Sequence, residues 1–102
     1  MTHKLRFSDQ ALDDLMSIGD YLKVASGSGR IADGFVEQLV VRCESLAALH
    51  GTLGRDRSEL NVGMRSLAFG NYVIFFRYVD DVLEVVTILE GHRDIDSLFS
   101  ER

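Results

Sequence analysis

Arginine is the residue type whose placement in this sequence most suggests chemistry. Arg55, Arg57, Arg65, Arg77 and Arg93 are five of the eleven basic residues, and all lie in the second half of the chain. A guanidinium presents a rigid fork of donors that matches a carboxylate or a phosphate. Gathered on one face, these side chains would clamp an anionic group of a nucleic acid or of a protein partner. The competing reading is ion pairing with Asp56, Glu59, Glu84, Glu90 and Asp94, which would knit the loop around residue 55 onto the strands that follow. His92 has the reference pKa for proton transfer near neutrality, although a single histidine in a turn is more often a solvated or hydrogen-bonded turn residue. Metal-independent RNA cleavage needs a base for the 2′-hydroxyl, an acid for the leaving oxygen and cations for the developing phosphorane charge. Glu59 or Glu90, His92 and Arg65 are the residues that could fill those roles.

Other reactive residue types read as structural. Cys43 falls on an apolar helical stripe with no cation nearby in sequence to lower its pKa, so it is assigned to the core. Asp13, Asp14 and Asp20 lack the ligand spacing of a calcium loop and read as a solvated helical face. Tyr72, Phe75, Phe76 and Tyr78 could stack on bases, but aromatics alternating within a central strand generally pack against helices. Neither a metal site nor a cofactor site is expected.

The elements that must position these residues follow from periodicity. Lys4-Leu5-Arg6-Phe7 alternates polar and apolar residues as a strand does, and Ser8-Asp9 offers a helix N-cap with an acidic first turn. Leu12, Leu15, Met16, Ile18, Gly19 and Leu22 keep helical spacing to an end near Ala25. Ser26-Gly27-Ser28-Gly29 is a turn, and Ile31, Phe35, Leu39, Cys43, Leu46 and Leu49 mark a second, longer helix to about His50. Gly51 to Gly63 reads as an irregular charged loop. From Met64 onward the pattern is β-branched and aromatic: Met64 to Phe69, Tyr72 to Val79 and Val82 to Glu90, separated by Gly70-Asn71 and Asp80-Asp81. That spacing predicts an antiparallel meander. Its central run places Tyr72, Ile74, Phe76 and Tyr78 on one face and Val73, Phe75, Arg77 and Val79 on the other. Both faces are largely apolar, and one helical hairpin covers only one, so the second is expected to await a partner. Asp94 to Phe99 is expected to form a final helical turn, with Ile95, Leu98 and Phe99 inward.

At 102 residues and 46% hydrophobic content, residues 1–102 are expected to form a single α+β domain. One cysteine excludes an internal disulfide. The start of the chain lacks the apolar stretch of a signal peptide, and no run reaches the roughly 20 apolar residues that span a bilayer. A cytoplasmic protein without membrane contact is expected. The formal net charge of −5 disfavours direct DNA binding, which depends on an excess of Lys and Arg, and favours a protein partner.

The junctions between these elements resemble the ParE toxin family, within the ParE/RelE superfamily of type II toxin-antitoxin systems. The resemblance is carried by Gly54-Arg55-Asp56-Arg57-Ser58-Glu59-Leu60, Gly63-Met64-Arg65, Gly70-Asn71-Tyr72-Val73-Ile74-Phe75-Phe76-Arg77, and Ile88-Leu89-Glu90-Gly91-His92-Arg93-Asp94-Ile95, in that order. It implies a RelE/ParE-like fold: an N-terminal strand, a two-helix hairpin packed on a mainly antiparallel sheet, and a short C-terminal helix. It further implies a toxin that inhibits DNA gyrase by protein-protein binding and forms a hetero-oligomer with a cognate ParD-like antitoxin. The residues it marks for target binding are Arg65, Arg77, Arg93, Asp94 and Phe99. Two alternatives come with it: a RelE-like ribosome-dependent mRNA endoribonuclease using Glu59, Arg65 and His92, and a non-toxic binding module derived from the family. His50, Thr87 and Glu90 stand where the family often has proline, arginine and histidine. The last two remove a cation and a proton-transfer group, which weighs against the enzymatic alternative.

Overall fold

Ser8 decides how the chain leaves its first strand. The computed structural model describes residues 2–91, and in it β1 (Lys4–Phe7) ends at Ser8, whose extended backbone precedes α1 (Asp9–Ser26). The Ser8 hydroxyl accepts from the Ala11 N–H at 3.0 Å, capping the helix, and donates to the Val86 carbonyl at 2.6 Å. One small side chain thus terminates a strand, starts a helix and fastens both to the strand next to β1 in the sheet. Gly27, with φ of 71°, closes α1 by donating to the Lys23 carbonyl at 3.0 Å. Ser28 then caps α2 (Gly29–Ala48), so two residues separate the helices.

The sheet contains β2 (Arg55–Asp56), β3 (Arg65–Phe69), β4 (Tyr72–Val79) and β5 (Val82–Glu90) besides β1, in the order β1-β5-β4-β3-β2. Only the β1–β5 pair is parallel, with Lys4 opposite Val82 and Phe7 opposite Val85. The expected meander and its two-residue turns are present, and the α+β class and mainly antiparallel sheet hold. Two boundaries differ. The second helix stops at Ala48 rather than near His50, and the loop read as irregular contains the short strand β2, which pairs with β3. A two-residue edge strand of Arg and Asp carries no alternation to detect. The expected C-terminal helical turn lies outside the described residues.

α1 and α2 cover one face of the sheet. Ile18, Leu39, Cys43 and Leu46 pack against Ile74, Phe76, Leu83, Val85 and Ile88 in one cluster. A fully buried leucine or phenylalanine in such a cluster contributes about 1.5–3 kcal/mol. Val85 and Ile88 are three positions apart, yet both face the helices, because β5 carries an extra residue where the register jumps between Phe75 and Phe76. The opposite face is not bare, contrary to expectation. Met64, Phe75 and Leu89 are buried there, with Leu60, Val73 and Val86 packed against them. The loop that precedes β3 thus folds back to supply cover that a strand-by-strand reading leaves to a partner.

Asp14 is the other departure. It was grouped with a solvated face, but its carboxylate accepts from the Thr87 hydroxyl and from the Ile88 N–H at 2.9 Å. Since β1 pairs with β5 only as far as Val85, the β5 edge beyond it needs another partner, and α1 supplies a carboxylate.

Candidate partner-binding site

Alternation along β4 divides the arginines between two faces. Arg77 shares the face of Phe75, away from the helices, and Arg65 lies opposite Phe76 on the helix side. The expected convergence is therefore partial. On the outer face Arg6, Glu84 and Arg77 sit in one row across β1, β5 and β4. Arg77 Nε donates to Glu84 Oε1 at 2.8 Å, and Arg6 Nε and Nη2 approach Glu84 Oε2 at 3.1 Å. The Glu84 side chain is 13% exposed against 54% for Arg6 and 46% for Arg77. One carboxylate is held beneath two guanidiniums that both reach solvent, which leaves the row net positive.

Arg57 adds to this face from the loop. Its guanidinium carbon lies 5.6 Å from the centre of the Phe75 ring, and Nε pairs with Glu59 at 2.8 Å. The backbone there is folded tightly: Arg57 N–H donates to Met64 O at 2.8 Å and Leu60 N–H to Arg57 O at 2.9 Å. Ser58 N–H donates to Asp56 Oδ1 at 2.8 Å, and the Ser58 hydroxyl binds the same oxygen. These two bonds, the hydroxyl first, hold the Asp56 carboxyl below its usual range. Arg55, opposite Ser66, is exposed on the same face.

Arg65 has a different task. Nε donates to the Leu53 carbonyl at 2.6 Å and Nη2 to the Gly54 carbonyl at 2.8 Å. It clamps the approach to β2 against the sheet. Gly54 makes that approach possible: φ is +83°, and a Cβ there would lie 2.6 Å from the Phe76 ring and 2.8 Å from the Ser66 carbonyl. Only glycine tolerates both the dihedral and the contact.

The two carboxylates proposed for proton transfer, Glu59 and Glu90, are not brought together. Glu59 is bonded to Arg57, which with a backbone N–H lowers its carboxyl pKa and weakens it as a base. Glu90 is paired with Tyr72 on the helix side of the sheet, away from Glu59. His92, Arg93, Asp94 and Phe99 lie outside the described residues. Cys43 is fully buried, and burial, with a smaller contribution from Glu44, pushes its thiol up to about 12, so it is a core residue. Among the described residues no group of three or more His, Cys, Asp or Glu is placed to hold a metal, and no helix is long and apolar enough to cross a membrane.

Arg6 and Glu84 are central to this face; Glu84 was expected to pair with one of the arginines, as it does with Arg77, whereas Arg6 was missed. A signal existed for Glu84: a two-residue turn at Asp80-Asp81 sets Arg77 directly across from it. For Arg6 there was none, since the parallel register of β1 depends on the whole intervening chain. The helical layer has the opposite sign. α1 and α2 carry Asp9, Asp13, Asp14, Asp20, Asp33, Glu37 and Glu44 against Lys23, Arg30 and Arg42.

A helical hairpin on one side of a mainly antiparallel sheet, with an arginine-bearing face on the other, defines a small α+β module built to present two chemically distinct surfaces. The sequence profile described as "ParE toxin of type II toxin-antitoxin system, parDE" matches residues 5–95, and the chain belongs to this family, within the ParE/RelE superfamily of toxins. The fold is similar to that in the solved structure of the chromosomal ParDE toxin-antitoxin system from P. aeruginosa, at 22% identity and a TM-score of 0.76, covering 87% of this chain and 96% of that one. It is also similar to the toxin-antitoxin complex RelBE2 from Mycobacterium tuberculosis, at 21% identity and a TM-score of 0.60, covering 91% and 95%. No curated protein matches the chain significantly in sequence.

Proposed function

We propose that this toxin acts by protein-protein contact with DNA gyrase in the cytoplasm and is neutralised by a cognate ParD-like antitoxin. The observation that carries the choice of contact over catalysis is the engagement of the candidate catalytic groups within the chain. Glu59 is tied to Arg57 and Arg65 to two backbone carbonyls, so neither is poised toward a substrate. The outer face, with the Arg6–Glu84–Arg77 row and Arg57 over Phe75, suits an acidic protein surface, and of the expected target-binding residues Arg77 lies on it. Arg93, Asp94 and Phe99 are proposed to extend the same contact. The antitoxin part of the reading is supported by family membership and by the two similar structures, both of toxin-antitoxin systems.

Purified gyrase tests the proposal directly. Supercoiling is expected to stop with rising toxin, and Arg77→Ala to weaken inhibition by about tenfold, as loss of one interfacial arginine commonly does. Undiminished supercoiling at saturating toxin rejects gyrase as the target. New message ends in a toeprint on translating ribosomes would replace this reading with the endoribonuclease one.

A further inference from the structure

The arginine row on the outer face has its spacing fixed from within. Arg6 and Arg77 flank Glu84 across three neighbouring strands, so at roughly 4.8 Å per strand their backbones stand about 10 Å apart. Glu84 offers one carboxylate oxygen to each: Oε1 accepts from Arg77 Nε at 2.8 Å, and Oε2 accepts from Arg6 Nε at 3.1 Å. Among the described residues Arg77 uses only Nε, and Arg6 only Nε and Nη2, so terminal nitrogens of both remain for a further acceptor. Two positions along β4, Val79 is 37% exposed and stands opposite the half-buried Val82. The two valines form an apolar step roughly 7 Å from the arginine row, at about 3.4 Å per residue. We propose that Arg6 and Arg77, held at a fixed spacing by Glu84, clamp one carboxylate of the target protein, and that Val79 and Val82 receive an aliphatic side chain of the same extended segment.

Charge and spacing together select the occupant. A carboxylate lying over the row accepts a charge-assisted bond from each guanidinium, and it balances the one positive charge that Glu84 leaves uncompensated. Long arginine side chains ordinarily lose rotamer freedom when they bind, but Glu84 orders both before a ligand arrives, so less freedom is lost on contact. Glu84 is therefore a positioning residue, and Arg6 is a second target-binding residue beside Arg77. Asp80 and Asp81 lie in the turn that joins the two valines. They repel an acid at that end, which sets the register: the acid goes over the arginines and the aliphatic side chain over the valines. The same two carboxylates disfavour a nucleic-acid strand, whose phosphates repeat along its length, and the chain as a whole carries −5. In an extended segment, side chains two positions apart share one face and stand about 7 Å from each other, which matches the step between the two rows. The recognised element is thus Asp or Glu, any residue, then Val, Ile or Leu, read in either chain direction.

The proposal rests on the protein-contact reading above, and two assays keep the two apart. Supercoiling by purified gyrase and growth on induction are followed for the wild-type chain, Arg6→Ala, Glu84→Ala, Val79→Asp and Arg42→Ala, with circular dichroism melts to confirm folding. Arg6→Ala and Val79→Asp should each weaken inhibition about tenfold. Arg42→Ala removes the same charge from the helical layer and should change inhibition by less than about twofold. Glu84→Ala is the discriminating variant. It raises the positive charge of the row, so attraction alone would tighten inhibition, whereas loss of the fixed spacing should weaken it about fivefold. Glu84→Gln serves in its place if the alanine chain does not fold. Folded Arg6 and Glu84 variants that inhibit gyrase as well as wild type overturn the clamp while the gyrase reading stands, and tighter inhibition by Glu84→Ala overturns it too. If wild type leaves supercoiling untouched but arrests growth, the gyrase reading falls and the growth series decides the clamp by the same criteria. New message ends in a ribosome toeprint that diminish with Arg6→Ala put nucleic acid on the row and overturn the proposal. If wild type neither inhibits nor arrests, both fall.

Discussion

Replacing Arg65 with alanine separates a residue that holds the fold from one that meets a partner. The side chain makes two charge-assisted bonds to backbone, from Nε to Leu53 O at 2.6 Å and from Nη2 to Gly54 O at 2.8 Å. A hydrogen bond from a charged group contributes about 1.5–3 kcal/mol. The Nε bond is partly buried and earns most of that range, whereas the Nη2 bond is exposed and is discounted to under about 1 kcal/mol. Arg65→Ala should therefore cost about 2–3 kcal/mol. For a domain of this size each kcal/mol moves the melting temperature by about 4–5 °C, so the expected fall is about 8–15 °C. Arg65→Lys keeps a cation but not the two-pronged geometry and should lose about half as much. Hydrogen exchange should place the loosening between residues 53 and 64, because the clamp holds that segment to β3. The reasoning fails if Arg65→Ala melts within about 2 °C of the parent and yet no longer arrests growth. The guanidinium would then be reserved for a target, and the two backbone bonds would be incidental.

Gly54→Ala combines a dihedral of +83° with a 2.6 Å clash against Phe76, so urea unfolding should show a loss of about 2–4 kcal/mol. Asp14→Ala strips the acceptor from the Thr87 hydroxyl and the Ile88 N–H and should cost about 2 kcal/mol. In a double-mutant cycle with Thr87→Val, a coupling energy of at least about 0.5 kcal/mol is expected, and additivity would deny the contact. The Cys43 thiol should resist alkylation at pH 8 in the native chain and react on unfolding. Its folded pKa, about 12, lies above the ordinary thiol value of 9.0 expected in the unfolded chain, so the stabilisation is complete below 9 and is lost as pH rises from there toward 12. A Cys43→Ala chain should show a flatter alkaline unfolding profile over that window.

Local signals determined much of this protein. Period-two alternation with two-residue turns located β3, β4 and β5, Ser8 announced the first helix start, and the Ser26 to Gly29 turn separated the two helices, because strand pleat, tight turns and caps depend on residues within a few positions of one another. The ordered junction residues were enough to place the chain in its family. The burial of Cys43 was legible for the same reason, since its helical stripe is a local pattern.

The partners of the charged side chains needed tertiary structure. The five arginines suggested one converging site from composition, but an extended strand sends alternate residues to opposite faces, and the packing sends Arg65 to a backbone clamp and Arg77 to a solvent-facing row. Arg6 joins that row from the far end of the chain through a parallel register that no local signal encodes. Asp14 reads as one more surface acid until β1 is seen to stop short of the β5 edge. The cover over Phe75 comes from a loop that alternation cannot describe. A polar side chain's role follows from the group it meets across the fold, and the distance along the chain to that group is set only when every intervening element has packed.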